Sequence, residues 1–239
     1  MSYPFEIVEG FKFVGIHTKD YGMSLKERTA PTPEEKTITE DVPFMHGVYD
    51  FSMLLGERIY ENRPLSYTFE VYDRNYERRK VDEIALKNWL MKPGYSPLYD
   101  DFDIGYYWLA KCTGVDIEDD HKAGRLIINV SFDAYPFKKS ELPEGHDIWD
   151  DFNFELDVSQ PVEYQVNGTL NINLLNAGSC SVVPTITVSA AMTIQKDKIT
   201  YNVPQGESKS ESFRLMIGEN PMTITGNGTI KFTFYKELI

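Results

Sequence analysis

LSYTFEV, residues 65–71, holds the strictest alternation in this chain of 239 residues. Leu65, Tyr67, Phe69 and Val71 fall on one face and Ser66, Thr68 and Glu70 on the other, which is the period of a half-buried β-strand. A second stretch, LIINVSFDAY (126–135), repeats the pattern: Leu126, Ile128, Val130, Phe132 and Ala134 alternate with Ile127, Asn129, Ser131 and Asp133. It predicts a long strand partly covered on both faces. Between the two, KVDEIALKNWLMKPG (80–94) changes period. Val81, Ile84, Ala85 and Trp89 form a helical face that Leu86 and Leu90 widen, with Trp89 turned to a core. Asp82 and Glu83 in the first turn and Lys87 and Lys92 toward the end suit the helix dipole, and Pro93-Gly94 stops the helix. One helix among strands makes the chain mainly β.

Outward from this region, PFKKSELPEGHDIWDD (136–151) has two prolines, a glycine and mixed charges in place of an apolar period, and reads as a linker. The expected organisation is a first domain at 1–137, a linker at 138–149 and a second domain at 150–239. In the second domain short apolar alternations follow one another: Leu170, Ile172 and Leu174; Ile186 and Val188; Met192 and Ile194; Ile199, Tyr201 and Val203; Phe213, Leu215 and Ile217; Ile230, Phe232 and Phe234. That spacing predicts a β-sandwich. Asn167-Gly168 and Asn227-Gly228 read as hairpin turns, because both residue types tolerate positive φ, and Gly226-Asn227-Gly228 as a hairpin tip. Residues 26–43, KERTAPTPEEKTITEDVP, are rich in Pro, Thr and Glu, with Ile38 and Val42 the only branched aliphatics. They predict an exposed excursion with a short strand at Lys36 to Val42, serving either as an interface arm or as a solvated loop.

Asp and Glu number 37 against 24 Lys and Arg, a formal net charge of -13. A globally basic footprint for nucleic acid is absent. No leader-type sequence opens the chain and no apolar run approaches the roughly 20 residues of a bilayer helix. Synthesis and folding in the cytosol without membrane insertion are expected. Cys112 and Cys180 stand far apart with no paired His, which predicts two buried apolar thiols rather than a disulfide or a zinc site.

No catalytic, cofactor-binding or metal-binding residue is assigned. His17, His46, His121 and His146 are scattered without metal-ligand spacing. The acidic run at 117–121 and the group Asp100, Asp101 and Asp103 lack the alternating ligands and turn glycine of a calcium loop. Paired carboxylates could serve a glycosidase, but in so acidic a chain solvated acidic turns are the favoured reading. No G-x-S-x-G elbow, P-loop or H-E-x-x-H occurs. His17, Lys19 and Asp20 read as the polar edge of a strand that Asp20-Tyr21-Gly22 ends.

The succession FKFVGIHTKDYGM, HGVYDFS, GERIYENRPLSYTFEVYD, the helix ending in NWL, LYDDFDIGYYWLAK and INVSFDAYPF resembles the N-terminal domain of distal tail proteins of long-tailed, non-contractile bacteriophages, over residues 1 to about 137. NAGSCSVVPTITVSA and IGENPMTITGNGTIKFTFY are similar to the galectin-like sandwich that follows in the same family. The resemblance implies a tail-tube-like β-barrel or split barrel with one helix, then a galectin-like β-sandwich. It implies a virion protein of the tail tip: a homo-hexameric ring, itself the first partner, that joins the tail tube protein to the tail-associated hub protein and supports receptor-binding proteins, while DNA passes the channel without specific binding. The alternative is a carbohydrate-binding module recognising the host cell wall. Sugar sites want an aromatic platform, yet Trp89, Trp108 and Trp149 precede the sandwich strands, and Phe232, Phe234 and Tyr235 alternate in a run with one face in the core. A scaffold is favoured over a lectin, and an enzyme ranks third.

Overall fold

The computed structural model describes residues 9–54, 56–146 and 158–239. Trp149, the last part of the expected linker and the first residues of the expected second domain lie outside these. The chain divides into two compact units, the first ending at Lys138 and the second running from Lys139 to Leu238.

In the first unit the strands are β1 (Phe11–Phe13), β2 (Ile16–His17), β3 (Ser24–Thr29), β4 (Thr39–Glu40), β5 (Tyr49–Asp50), β6 (Arg63–Tyr72), β7 (Ser96–Asp100), β8 (Tyr106–Asp120) and β9 (Arg125–Ala134), with one helix, α1 (Tyr76–Met91), between β6 and β7. An antiparallel sheet runs β2-β1-β7-β8-β9-β6-β3, and β4 and β5 make a separate ribbon. The alternations that define β6 and β9 reach the core as the sequence predicts. Leu65 faces Phe132, Tyr67 faces Val130, Phe69 faces Ile128 and Val71 faces Leu126, and all eight are buried. In-register pairing places each inward side chain beside another, which is the unit of sheet stabilisation. Bulges at Leu25/Glu27 in β3 and Cys112/Gly114 in β8 add bend and twist, so the sheet curls into a half-barrel around Phe11. The Phe11 ring lies 4.9 Å from Tyr67, 5.6 Å from Phe69 and 5.4 Å from Phe132.

The helix starts earlier than its apolar period suggests. Asn75 caps it, its side chain accepting from Arg78 N at 3.2 Å, so Asp82 and Glu83 sit mid-helix and Glu77 is the acid of the first turn. Its buried face is Arg79, Leu86, Trp89 and Leu90, while Val81 and Ile84 are 64% and 63% exposed. The cause is Arg79. Its Nε donates to Asp119 Oδ1 at 2.8 Å and its Nη1 to Asp73 O at 2.7 Å, and an inward arginine at this position turns the Val81–Ile84 stripe to solvent.

His17, Lys19 and Asp20 do not form a strand edge. The strand stops at His17, which caps a 3-10 turn over Thr18–Tyr21: its Nδ1 accepts from Lys19 N, and Asp20 accepts from His17 N at 3.0 Å. Gly22 ends that turn at φ 65°.

The second unit contains β11 (Glu163–Asn176), β12 (Thr185–Val188), β13 (Met192–Lys196), β14 (Ile199–Val203), β15 (Gly206–Ser208) and β16 (Gly218–Thr233), while β10 (Lys138–Ser140), at the boundary, pairs with β17 (Glu237–Leu238). β16 pairs with the whole length of β11. Its other edge takes β13 at Thr223–Thr225 and then β12 at Ile230–Thr233. The two long strands therefore serve both halves of a sandwich, and their even-numbered residues, among them Val166, Ile172, Leu174, Met222, Ile224, Ile230 and Phe232, share one core.

Three expectations fail here. Asn167-Gly168 and Asn227-Gly228 are not turns, and Gly226-Asn227-Gly228 is not a hairpin tip, because these residues face each other inside the β11–β16 ladder, Asn167 opposite Asn227 and Gly168 opposite Gly226. Gly226 and Gly228 answer to packing: a Cβ on Gly226 would stand 2.7 Å from Met192 Cγ, and one on Gly228 2.3 Å from Ser189 Oγ. The tight two-residue turns with positive φ are instead Val14-Gly15 and Asp197-Lys198. Phe213, Leu215 and Ile217 make no strand; Leu215 forms one bridge with Val182, and Ile217 is exposed.

Candidate functional site

Between β3 and β6 the chain leaves the half-barrel as an arm. Its base is closed by the Glu35–Tyr60 bridge and by Lys36 N to Ile59 O at 2.8 Å and Glu61 N to Glu34 O at 2.9 Å. Farther out, β4 and β5 pair Thr39 with Asp50 and Glu40 with Tyr49. The side chain of Ser52, 3% exposed, accepts from Ile38 N at 2.8 Å. Hydrogen bonds from Ser52 hold the Asp50 carboxyl below its ordinary range. The expected short strand at Lys36 to Val42 is present only as Thr39–Glu40.

The arm is apolar where a solvated loop would be polar. Phe44 is fully exposed, Leu54 78%, Val48 56%, Met53 55% and Tyr49 53%. Monomeric proteins rarely leave such a contiguous patch in water. The Pro-Thr-Glu composition of its first limb announces an excursion; the aromatic second limb gives the opposite signal, since apolar residues are ordinarily read as core.

Buried charge fixes the arm's root. Arg63, 4% exposed, lies over the Trp108 ring at 4.6 Å and donates to Ala30 O at 2.9 Å. Just before the arm, Arg28 donates to Asp100 and to Asp103, each at 2.6 Å. Tyr67 OH donates to Asp100 at 2.7 Å, and Asp103 also accepts from Trp108 Nε1 at 3.1 Å and Lys138 Nζ at 2.7 Å. Burial alone would lower Arg28, yet the hydrogen bond and charge of Asp100 raise it overall. Burial, then Asp100, pushes the Tyr67 phenol well up.

The two acidic groups thus have partners. Asp101 sits 3.2 Å from His17 and 3.4 Å from Lys19. In the other cluster Asp119 pairs with Arg79 at 2.8 Å and Lys80 at 3.4 Å, and Asp120 accepts from Ala123 N at 3.1 Å and Arg125 at 3.3 Å. Among the described residues no group of three His, Cys, Asp or Glu is arranged to hold a metal ion. Both cysteines are buried, and burial pushes the Cys112 thiol up to about 11. Phe232 and Phe234 are buried and cannot form a stacking platform. No described helix is long and apolar enough to cross a membrane.

These ion pairs set an acid limit. For Glu70, Asp103 and Asp119 burial raises the carboxyl, but bonds from Tyr72 and Lys26, from Lys138, and from Arg79 respectively leave each lowered from its ordinary 4.5 or 3.8. A carboxyl lowered on folding stabilises the fold above its unfolded value and ceases to do so as pH falls through its folded value. The first unit should hold its melting temperature from neutrality to about pH 4.5 and lose it steeply below about pH 4. Calorimetric scans across pH 2–7 check this; a flat profile to about pH 2 would show that the pairs contribute nothing.

No family model matches the chain, and no curated protein matches it. Among solved structures, the crystal structure of the SPP1 Dit protein, described as a paradigm of the hub adsorption apparatus in phages infecting Gram-positive bacteria, superposes with TM-score 0.64 at 13% identity, covering 95% of this chain and 99% of that one. The phage P2 baseplate in its activated conformation with calcium aligns over 97% of this chain and 98% of that one at 8% identity, TM-score 0.43. The chain shares the β-rich fold of SPP1 Dit.

Proposed function

We propose that this chain is a structural subunit of a bacteriophage tail tip, a distal tail protein whose copies form a homo-hexameric ring between the tail tube and the tail-associated hub. The observation that carries the reading is the fold match to SPP1 Dit over nearly the full length of both chains. In this reading the first unit builds the ring and the second, a galectin-like sandwich, supports receptor-binding proteins. A head-to-tail ring needs two different complementary faces on each subunit, and the first unit has an apolar arm to offer as one of them. The net charge of -13 favours passage of DNA through the channel without adhesion. The role is architectural rather than catalytic, and the place is the virion, assembled in the host cytoplasm. Electron micrographs of the purified chain test it: six-fold rings are expected, and single particles of one chain's mass at every concentration would reject it.

A further inference from the structure

Asn-Gly occurs twice in the chain, at 167–168 and 227–228, and the fold sets the two asparagines directly opposite each other. Of all dipeptides this one is the most prone to lose ammonia. The main-chain nitrogen of the glycine, once deprotonated, attacks Cγ of the asparagine; the bond from Cγ to the side-chain nitrogen breaks, ammonia leaves and a five-membered succinimide remains. Glycine permits this because no Cβ shields its nitrogen and its backbone turns freely. Water then opens the ring at either carbonyl, giving aspartate or isoaspartate. The second product carries the chain through the β-carbon and so inserts one methylene into the backbone. A glycine N–H held in a hydrogen bond neither sheds its proton readily nor swings toward Cγ.

The two sites are held unequally. Asn227-Gly228 lies in β16 with neighbours on both edges. Phe232 N donates to Val162 O at 2.8 Å, and Gly228, four residues earlier in the same register, faces Val166 of β11. On the other edge Thr229 N donates to Ser189 Oγ at 2.8 Å and Ser189 N to Thr229 O at 3.0 Å, and β12 pairs from Ile230 onward. Asn167-Gly168 lies in β11, which among the described strands pairs with β16 alone, and both residues are exposed. Gly168 takes φ 83°, outside the range of a strand, and its N–H donates to a side chain, Asn227 Oδ1, at 3.1 Å. Such an exposed bond on an outer strand opens more readily than a ladder flanked on both sides.

We propose that Asn167 is a site of spontaneous deamidation, and that the Asn227 side chain, by accepting the Gly168 N–H, sets how slowly the reaction runs. That one contact restrains the nucleophile of the first site and engages the carboxamide of the second. The reaction consumes only water. Its isoaspartyl product strains the register that keeps Ile172 and Leu174 in the core of the second unit. For a virion subunit, which is not replaced after assembly, this step bounds the working life of the sandwich.

The test follows full-length protein kept at mildly alkaline pH, with peptides mapped by mass spectrometry over time and isoaspartate labelled by isoaspartyl methyltransferase. Modification at Asn167 should precede modification at Asn227, and both should be slower than in the same chain held unfolded in guanidinium chloride. Asn227→Ala should speed the loss of Asn167 about five- to tenfold, the scale of one lost hydrogen bond. Asn227→Asp keeps an acceptor oxygen and should leave the rate near that of the wild type. Ile172→Val thins the core without touching the bond, and so reads the effect of general loosening. The assignment is overturned if Ile172→Val speeds Asn167 as much as Asn227→Ala does, if Asn227→Ala changes nothing, or if Asn227 is modified first.

Discussion

Trp89→Ala lowers the stability of the first unit by about 3–5 kcal/mol, the cost of emptying a large aromatic site in a core. Trp89 is 8% exposed, and it ties three elements together. Its ring stacks on Tyr21 at 5.3 Å and lies 6.1 Å from Phe11. Its indole N–H donates to Phe13 O at 2.9 Å, so truncation removes the aromatic contacts and a buried hydrogen bond together. In a unit of this size the melting temperature should fall by roughly 10–20 °C. Differential scanning calorimetry reads it, and an unchanged first transition would remove Trp89 from the core.

Asp100→Ala should cost a similar amount, about 3–5 kcal/mol, by a different route. The Asp100 side chain is fully buried and takes the Tyr67 hydroxyl at 2.7 Å and Arg28 Nε at 2.6 Å. Removing it strands a buried phenol and half of a guanidinium, since Asp103 still holds Arg28 Nη2. Asp100→Asn keeps an acceptor for Tyr67 and should cost clearly less. Because Arg28 and Asp100 act as a pair, Arg28→Ala should cost less in the Asp100→Ala background than in the wild type, the remaining cost being its bond to Asp103, which a double-mutant cycle by urea denaturation measures. Full additivity would mean that the two side chains do not depend on each other.

The strands β6 and β9 were legible because a half-buried strand writes its own pattern: every second residue from Leu65 to Val71 and from Leu126 to Ala134 enters the core. The helix was legible in kind but not in facing. Val81 and Ile84 look inward by hydrophobicity, and the residue that turns them out is Arg79, whose partner Asp119 lies 40 positions away. Asn167-Gly168 and Asn227-Gly228 carry a strong local turn signal that a non-local fact overrides. They pair with each other across some 60 residues, where Gly228 makes room for Ser189 and Gly168 takes a φ of 83°. Val14 and Asp197-Lys198 show the converse, since these residues take positive φ in true turns that composition does not announce.

The arm divides along the same line. Its first limb, poor in aliphatics, is visible as an excursion; its second, from Phe44 to Leu54, carries no such signal. In the folded chain Phe44, Val48 and Leu54 stand in solvent. Local rules assume that a side chain finds its partners in its own fold, and they miss surfaces completed by another molecule.

The central claim is that copies of this chain close into a ring. Negative-stain microscopy of the purified full-length protein, with class averages sorted by rotational symmetry, tests it most directly. Six-fold rings with an open central channel are the predicted result; a uniform population of monomers, or dimers with two-fold symmetry, would contradict it.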